Sequence, residues 1–408
     1  MGKTVRLMAQ QSGLLFFLIV AIAAFPSFLQ GLDAELYFFG SPYIVSSVHA
    51  TAVFIGLTAT SYTLGILFFS YAGGFLFDVF SAKYTLVLAV SIFSIFVFLT
   101  GYVTSIYELL IFRLIVGFGI GMFQPAMLSF LGDILVKFRG RSIIAFEVFF
   151  GFGYFVAPYL IEPFLPDYKI PFMITGLISL ISIVLFIAVV PPVYSKIEKR
   201  KLGLRSVANR NIVILSVAVF LFGIALLGLL SYLSDFLLHV LHYSVFDTAL
   251  AASMMGLAGV IFAYPLGYGS DKARSGRKAF IILTMGASTV GSLGIFFLGD
   301  LVGLIAMIGF VFIFGIGRGL SVIFITAAAQ DSVGDSLVGR ISGVIYTMFN
   351  IGAIIGGPLM GTLSTTYGFK IGGLVAVTIP LLVATVISIF LVGAKPSAVS
   401  ESTMASPN

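Results

Sequence analysis

Residues 140–153 read GRSIIAFEVFFGFG and residues 339–352 read GRISGVIYTMFNIG. The two stretches align without a gap and keep Arg141 and Arg340 199 positions apart. A second echo pairs GGFLFDVFSAK at 73–83 with LGYGSDKARSGRK at 266–278, setting Asp78 and Asp271 193 positions apart. Two such echoes at about half the chain length indicate a duplicated architecture. Composition identifies the solvent in which it folds. Of 408 residues, 60% are hydrophobic and 9% charged, and the mean hydropathy is +1.16. A water-soluble domain carries roughly a quarter charged residues, so this chain folds in lipid.

Working outward from the repeats, apolar runs near the roughly 20 residues needed to cross a bilayer fall at 12–38, 48–77, 84–104, 106–133, 142–162, 170–191, 211–239, 246–270, 279–298, 302–330, 341–363 and 371–393. The expectation is an all-α integral membrane fold of twelve transmembrane helices in two pseudo-symmetric six-helix halves. Of the basic residues, 18 lie at the entries of odd-numbered helices or the exits of even-numbered ones, against Lys169 and Lys370 on the other side. Retention of Lys and Arg on the inner side then places both termini in the cytoplasm of a multi-pass cell-membrane protein. Lys3 and Arg6 before an apolar stretch resemble a signal peptide, but the run continues past Ala23 and Ala24 and reads as a first span. The domains are expected at 1–194 and 211–395. A basic cytoplasmic linker at 195–210 joins them, and a disordered tail follows at 396–408.

The net charge of +6 and pI near 9.3 do not point to nucleic acid, because the basic residues sit in short connectors between spans. With no cysteine and three histidines, neither a disulfide framework nor a metal site is expected, and no cofactor. The GFGIG run lies mid-helix without a preceding strand and is no nucleotide loop. No nucleophile or paired-carboxylate constellation suggests an enzyme.

Over nearly its whole length the chain resembles the major facilitator superfamily. The family's cytoplasmic motif between helices two and three maps onto Gly74, Leu76, Asp78 and Lys83, with Ser81 where glycine is usual. The second copy is Gly267, Asp271, Gly276, Arg277 and Lys278. By this resemblance Asp78 with Arg141, and Asp271 with Arg340, clamp the two halves on the cytoplasmic side; the alternative is that they anchor the helices at the lipid interface. At branch level, RLIVGFGIGMFQP at 113–125 and QGLDAELYFFGSPYI at 30–44 are similar to organic or aromatic acid/proton symporters and sugar porters, with Gln30 where an Asp is frequent. The resemblance implies a monomer that moves a small molecule by rocking of its halves.

Ionisable groups inside spans cost about 3 kcal/mol or more each, and each is therefore a candidate functional group. Asp33 and Arg113 fall at similar depth in helices one and four, where they could pair; the pair is read either as a coupling site with Asp33 as proton carrier or as a permanent structural ion pair. Glu35 is expected near the outer interface, in contact with water. Arg113 and Gln124 lie eleven residues apart, close to three turns, on one helix face. Glu147 is placed at the cavity or in the cytoplasmic network.

Arg318 lies mid-helix, stays protonated, and requires an anion: a substrate carboxylate or phosphate, or Asp235 of helix seven. Asp235, with Tyr232 one turn before it, is read as a second titrating group or part of an external gate. Tyr346 and Asn350 offer neutral hydrogen-bonding groups. The function expected from these features is that of a secondary transporter, proton-coupled, taking up a small organic anion. The site comprises Asp33, Arg113 and Asp235 for protons and Arg318, Gln124, Tyr232, Tyr346 and Asn350 for substrate. The alternatives are efflux of drugs or metabolites, sugar/proton symport, and a non-transporting sensor.

Overall fold

The computed structural model describes residues 13–80, 82–134, 139–189, 209–272, 276–333 and 338–392. Most of the linker expected at 195–210 and the tail at 396–408 lie outside the described residues. The first six helices are α1 (Gly13–Ser47), α2 (Val53–Phe80), α3 (Ala82–Thr100), α4 (Ile106–Ile134), α5 (Arg139–Ile161) and α6 (Lys169–Val189). The second set is α7 (Arg210–Asp235), α8 (Val245–Lys272), α9 (Lys278–Leu293), α10 (Leu304–Asp331), α11 (Val338–Tyr367) and α12 (Phe369–Gly373, resuming over Ile379–Ser388). Wider π turns extend α7 and α9 and join the two parts of α12. Among the described residues there is no strand, and ten helices are long and apolar enough to span a membrane. A chain surrounded by hydrocarbon must satisfy its backbone within each segment, which leaves helices as the means of crossing here.

The helices alternate in direction. The face where α1 ends and α2 begins is called the far face here, and the opposite one the near face. Contacts between loops agree with the alternation. Lys370 pairs with Asp300 at 2.5 Å at the far face, and Asn211 at the start of α7 bonds Val392 after α12 at the near face.

Lipid sets the burial pattern. Outer helices expose apolar stripes at helical spacing, such as Leu177, Ile181 and Val184 on α6. The central helix α7 is buried at every residue from Phe222 to Ser234. The other central helix, α1, turns polar groups inward: Ser27, Gln30, Asp33, Glu35 and Ser41 are all buried.

The duplication is visible in backbone contacts. A Cβ on Gly31 would lie 2.0 Å from the Phe150 carbonyl oxygen, and one on Gly223 would lie 2.2 Å from that of Phe349. Gly153 meets Phe28 as Gly352 meets Phe220. The α1–α5 seam of the first half is thus repeated as α7–α11 in the second, with the glycines supplying the close approach. The repeat also aligns Gly119, packed on Ala89 and Phe93, with Gly317, packed on Thr284 and Ser288. Arg318 therefore corresponds to Ile120, one residue beyond the Gly119 that counting from the Gly-Arg pair selects. It remains an addition specific to the second half.

The halves meet toward the far face. The Tyr232 hydroxyl donates to Ala52 O at 2.9 Å and accepts from Gly56 N at 3.1 Å. Thr60 donates to Ile354 O at 2.7 Å, and the Tyr159 and Ser253 hydroxyls lie 2.9 Å apart. Beside them, a Cβ on Gly56 would come 2.4 Å from the Gly357 carbonyl. That contact is backbone against backbone, so a side chain there must push α2 from α11. The chain has no cysteine, which makes thiol labelling a clean report of this seam. With a reporter at the buried Ser253 (S253C), adding Gly56→Val is expected to raise the maleimide labelling rate about tenfold as the population shifts toward a far-open state. An unchanged rate would mean that this seam does not close the far face.

Candidate functional site

Two charged clusters occupy the interior, and α1 builds both. Asp33 and Glu35 are two residues apart, which on a helix of 3.6 residues per turn turns them about 200° from one another. Asp33 faces α4 and Glu35 faces α5.

On the α4 side, Arg113 Nη1 donates to both oxygens of Asp33, at 3.0 and 3.1 Å. The pair is sealed, with side chains 1% and 0% exposed. The Arg113 guanidinium carbon lies 4.3 Å from the Tyr37 ring centroid and 4.9 Å from that of Tyr62. The cation is thus held between one carboxylate and two π faces. Tyr37 is itself fixed by a short hydrogen bond to Thr58 of α2. The expected ion pair is present, and the two tyrosines around it were not identified from sequence.

On the α5 side, the parallel register that sets Gly31 against Phe150 puts Glu35 and Tyr154, each one turn further along, opposite one another. The Tyr154 hydroxyl lies within reach of Glu35 and of Arg318. The Arg318 guanidinium carbon sits 3.5 Å from the Tyr154 ring centroid and 5.6 Å from that of Phe150. Glu35 and Glu147 both lie in the field of Arg318. Arg318 is only partly buried. Two atoms of this cluster, Glu35 Oε2 and Arg318 Nε, are buried without a hydrogen-bond partner among the described residues.

This corrects the expectation for Glu35, which is 3% exposed rather than bathed by water at the outer interface. The signal for its burial lay in GFGYF at 151–155, where two glycines precede the tyrosine that meets it.

The anions beside Arg318 come from the first half, on α1 and α5. Asp235 instead accepts from His239 Nδ1 at 2.7 Å, in a pair whose His side chain is 62% exposed. Tyr232 is engaged by the backbone of α2 at the seam between the halves. Tyr346 stands beside Glu147, 37% exposed. Asn350, 7% exposed, donates its amide to Tyr346 O at 2.7 Å. Gln124 is half-buried on α4.

Toward the near face, Lys83 donates to Ile187 O at 2.6 Å, capping the last turn of α6 in its own half, a favourable place for a cation. Arg277 bonds Asp331 at 2.8 Å and Ser270 at 2.9 Å, likewise inside its own half. Lys278 begins α9 beside it, and Gly267 has open space where a Cβ would point. Arg340 is a described residue with an interaction partner. The surroundings of Gly74, Asp78, Arg141 and Asp271 lie outside the described residues. No group of His, Cys, Asp and Glu suited to a metal ion occurs among the described residues.

Comparison with known proteins agrees with this architecture. The sequence profile of the Major Facilitator Superfamily matches residues 16–357, and no curated protein sequence matches the chain. Among solved structures it is similar to a nucleoside transporter, NupG, at 18% identity and a TM-score of 0.70, covering 91% of this chain and 97% of that one. It is also similar to a bacterial homologue of the human lysosomal transporter Spinster in an inward-facing, occupied conformation. That match has 15% identity and a TM-score of 0.70, over 91% and 95% of the two chains. At these identities the likeness is one of fold.

The sealed pair sets a stability expectation. Removing one partner strands a buried charge, at a cost of about 3–5 kcal/mol. Arg113→Ala is expected to lower the thermal unfolding midpoint of the purified protein strongly. The double variant Asp33→Asn, Arg113→Gln should recover much of the loss, because neither remaining group is charged. A double variant as unstable as the single one would show that the pair is not the source of that stability.

Proposed function

Because the chain belongs to the Major Facilitator Superfamily, we propose that this secondary transporter carries out proton-coupled uptake of a small organic anion, a carboxylate, by rocking its halves about a midplane site. The observation that carries this reading is Arg318. It is a permanent cation, partly accessible, on the second half, stacked against an aromatic face of the first half, with an unused N–H. Arg113 also keeps a buried Nε without a partner, but it is sealed from access and its Nη1 is taken by Asp33, which makes it the poorer receptor. A carboxylate on Arg318 has planar geometry to match, and the ring of Tyr154 favours a flat substrate.

Charge balance supports the proton. Asp33 and Arg113 cancel, leaving Glu35 and Glu147 against Arg318. With both carboxylates ionised, the surroundings of Arg318 are net negative and repel an anion. Each proton taken up by these acids shifts the balance toward anion binding, so the two ligands bind with positive linkage. On the reading that both termini lie in the cytoplasm of a cell membrane, the far face is external and its seam is the outer gate. Lipid and the anion are then the partners, with the monomer as functional unit.

A ligand stabilises the folded state in proportion to its occupancy. The test is a thermal-shift screen of the purified protein with benzoate, lactate and succinate against uridine, glucose and tetraphenylphosphonium, at acidic and neutral pH. A carboxylate is expected to raise Tm more at the acidic pH, and Arg318→Ala to lose the shift. Stabilisation by uridine, glucose or the cation alone would assign Arg318 a structural role and overturn the organic-anion reading.

A further inference from the structure

Glu35 is the buried carboxyl that the sequence reading placed in water at the outer interface. We infer that Glu35 is the proton-accepting group linked to Arg318, with the Tyr154 hydroxyl as the positioning group between them; this rests on the transport reading above and deepens it.

Asp33 and Glu35 differ in how their oxygens are engaged. Both oxygens of Asp33 accept from one Arg113 nitrogen, inside a shell closed by Tyr37 and Tyr62. A proton added there must displace the cation that both oxygens already hold. Glu35 is held differently. One oxygen is left to the Tyr154 hydroxyl, and Oε2 has no partner among the described residues. A proton can be placed on Oε2 without breaking an existing bond. A buried carboxyl oxygen with no donor beside it is costly as an anion and satisfied as an O–H acid once a partner comes within reach.

The groups facing Glu35 are few. From α5 come Tyr154 and, further toward the near face, Glu147; from α10 comes Arg318. The Asp33–Arg113 pair and Tyr62 stand on the other side of α1. Arg318 belongs to the second half and Glu35 to the first, so the attraction between them crosses the plane about which the halves move. When an anion takes Arg318, that attraction is lost to Glu35, and neutralising Glu35 with a proton removes the charge left unpaired. Tyr154 serves both groups, its ring under the guanidinium and its hydroxyl toward the carboxyl, so loading at one is felt at the other. The counterparts of Glu35 and Tyr154 in the second half are Leu227 and Ala353 by the repeated seam. The device is therefore built once, in the first half.

The test needs no substrate and so is separate from the anion reading, whose failure would appear in the ligand screen. Infrared difference spectra of the purified full chain in lipid, taken between neutral and acidic pH, report the C=O stretch of carboxyls that take up a proton. Wild type is expected to show a buried carboxyl band on acidification. Glu35→Gln should remove most of it, while Asp33→Asn and Glu147→Gln leave it in place. Tyr154→Phe removes the hydrogen bond and should move the band to higher frequency without abolishing it, a change that loss of packing alone does not produce. If Glu35→Gln does not yield folded protein, this Tyr154→Phe shift decides. A band that survives Glu35→Gln, that disappears with Asp33→Asn or Glu147→Gln, or that is unmoved by Tyr154→Phe overturns the inference.

Discussion

Arg318 carries a charge it cannot shed into the interior of a bundle surrounded by hydrocarbon. Its placement is tolerable because the first half answers it with two carboxylates and two aromatic faces. Glu35 and Glu147 supply the opposite charge, and Tyr154 and Phe150 the π faces. A desolvated guanidinium over an aromatic ring gains about 2 kcal/mol, which is of the same order as the insertion cost of the charge. The cation and its partners lie on opposite halves, so whatever alters the partners alters how the halves sit. The sealed Asp33–Arg113 pair ties α1 to α4 within the first half, whereas the far-face seam and the cluster at Arg318 join one half to the other.

The two halves share a backbone plan and divide the chemistry. The seam of α1 on α5 and that of α7 on α11 use glycines at matching positions, because helices packing without a hydrophobic drive in lipid depend on close van der Waals approach. Side chains along those seams have diverged. Where the first half has Asp33, Glu35 and Tyr154, the second has Ala225, Leu227 and Ala353. The opposite side of this division is Arg318, whose first-half counterpart is Ile120. Duplication preserved the geometry that packs and left each half free to take on different charges.

The charged groups expected to clamp the near face behave as local supports where they are described. Lys83 closes the end of α6 and Arg277 ties the end of α8 to the end of α10. At the far face, Tyr232, Thr60 and Tyr159 link the two halves. Alternating access requires that the two faces not be open together, so opening of the near face is compatible with these links holding the far face closed.

The sequence by itself determined the lipid-embedded class, the helical spans and the duplication, and it set Asp33 and Arg113 at a common depth. Each of these follows from one-dimensional quantities: run length against bilayer thickness, the distribution of Lys and Arg, the spacing of repeated pairs, and depth along a helix. It also marked Arg318 as needing an anion, because arginine does not lose its proton. What only the tertiary structure decided is which anion. Asp235 sits on a neighbouring helix at plausible depth yet bonds His239, while Glu35, which depth alone placed at the interface, is buried against Tyr154. Depth is a coordinate along the chain; the direction in which a side chain points across the bundle depends on helix rotation and on which glycines let two backbones touch. Those contacts, Gly31 on Phe150 and Gly153 on Phe28, exist only once α1 and α5 have packed.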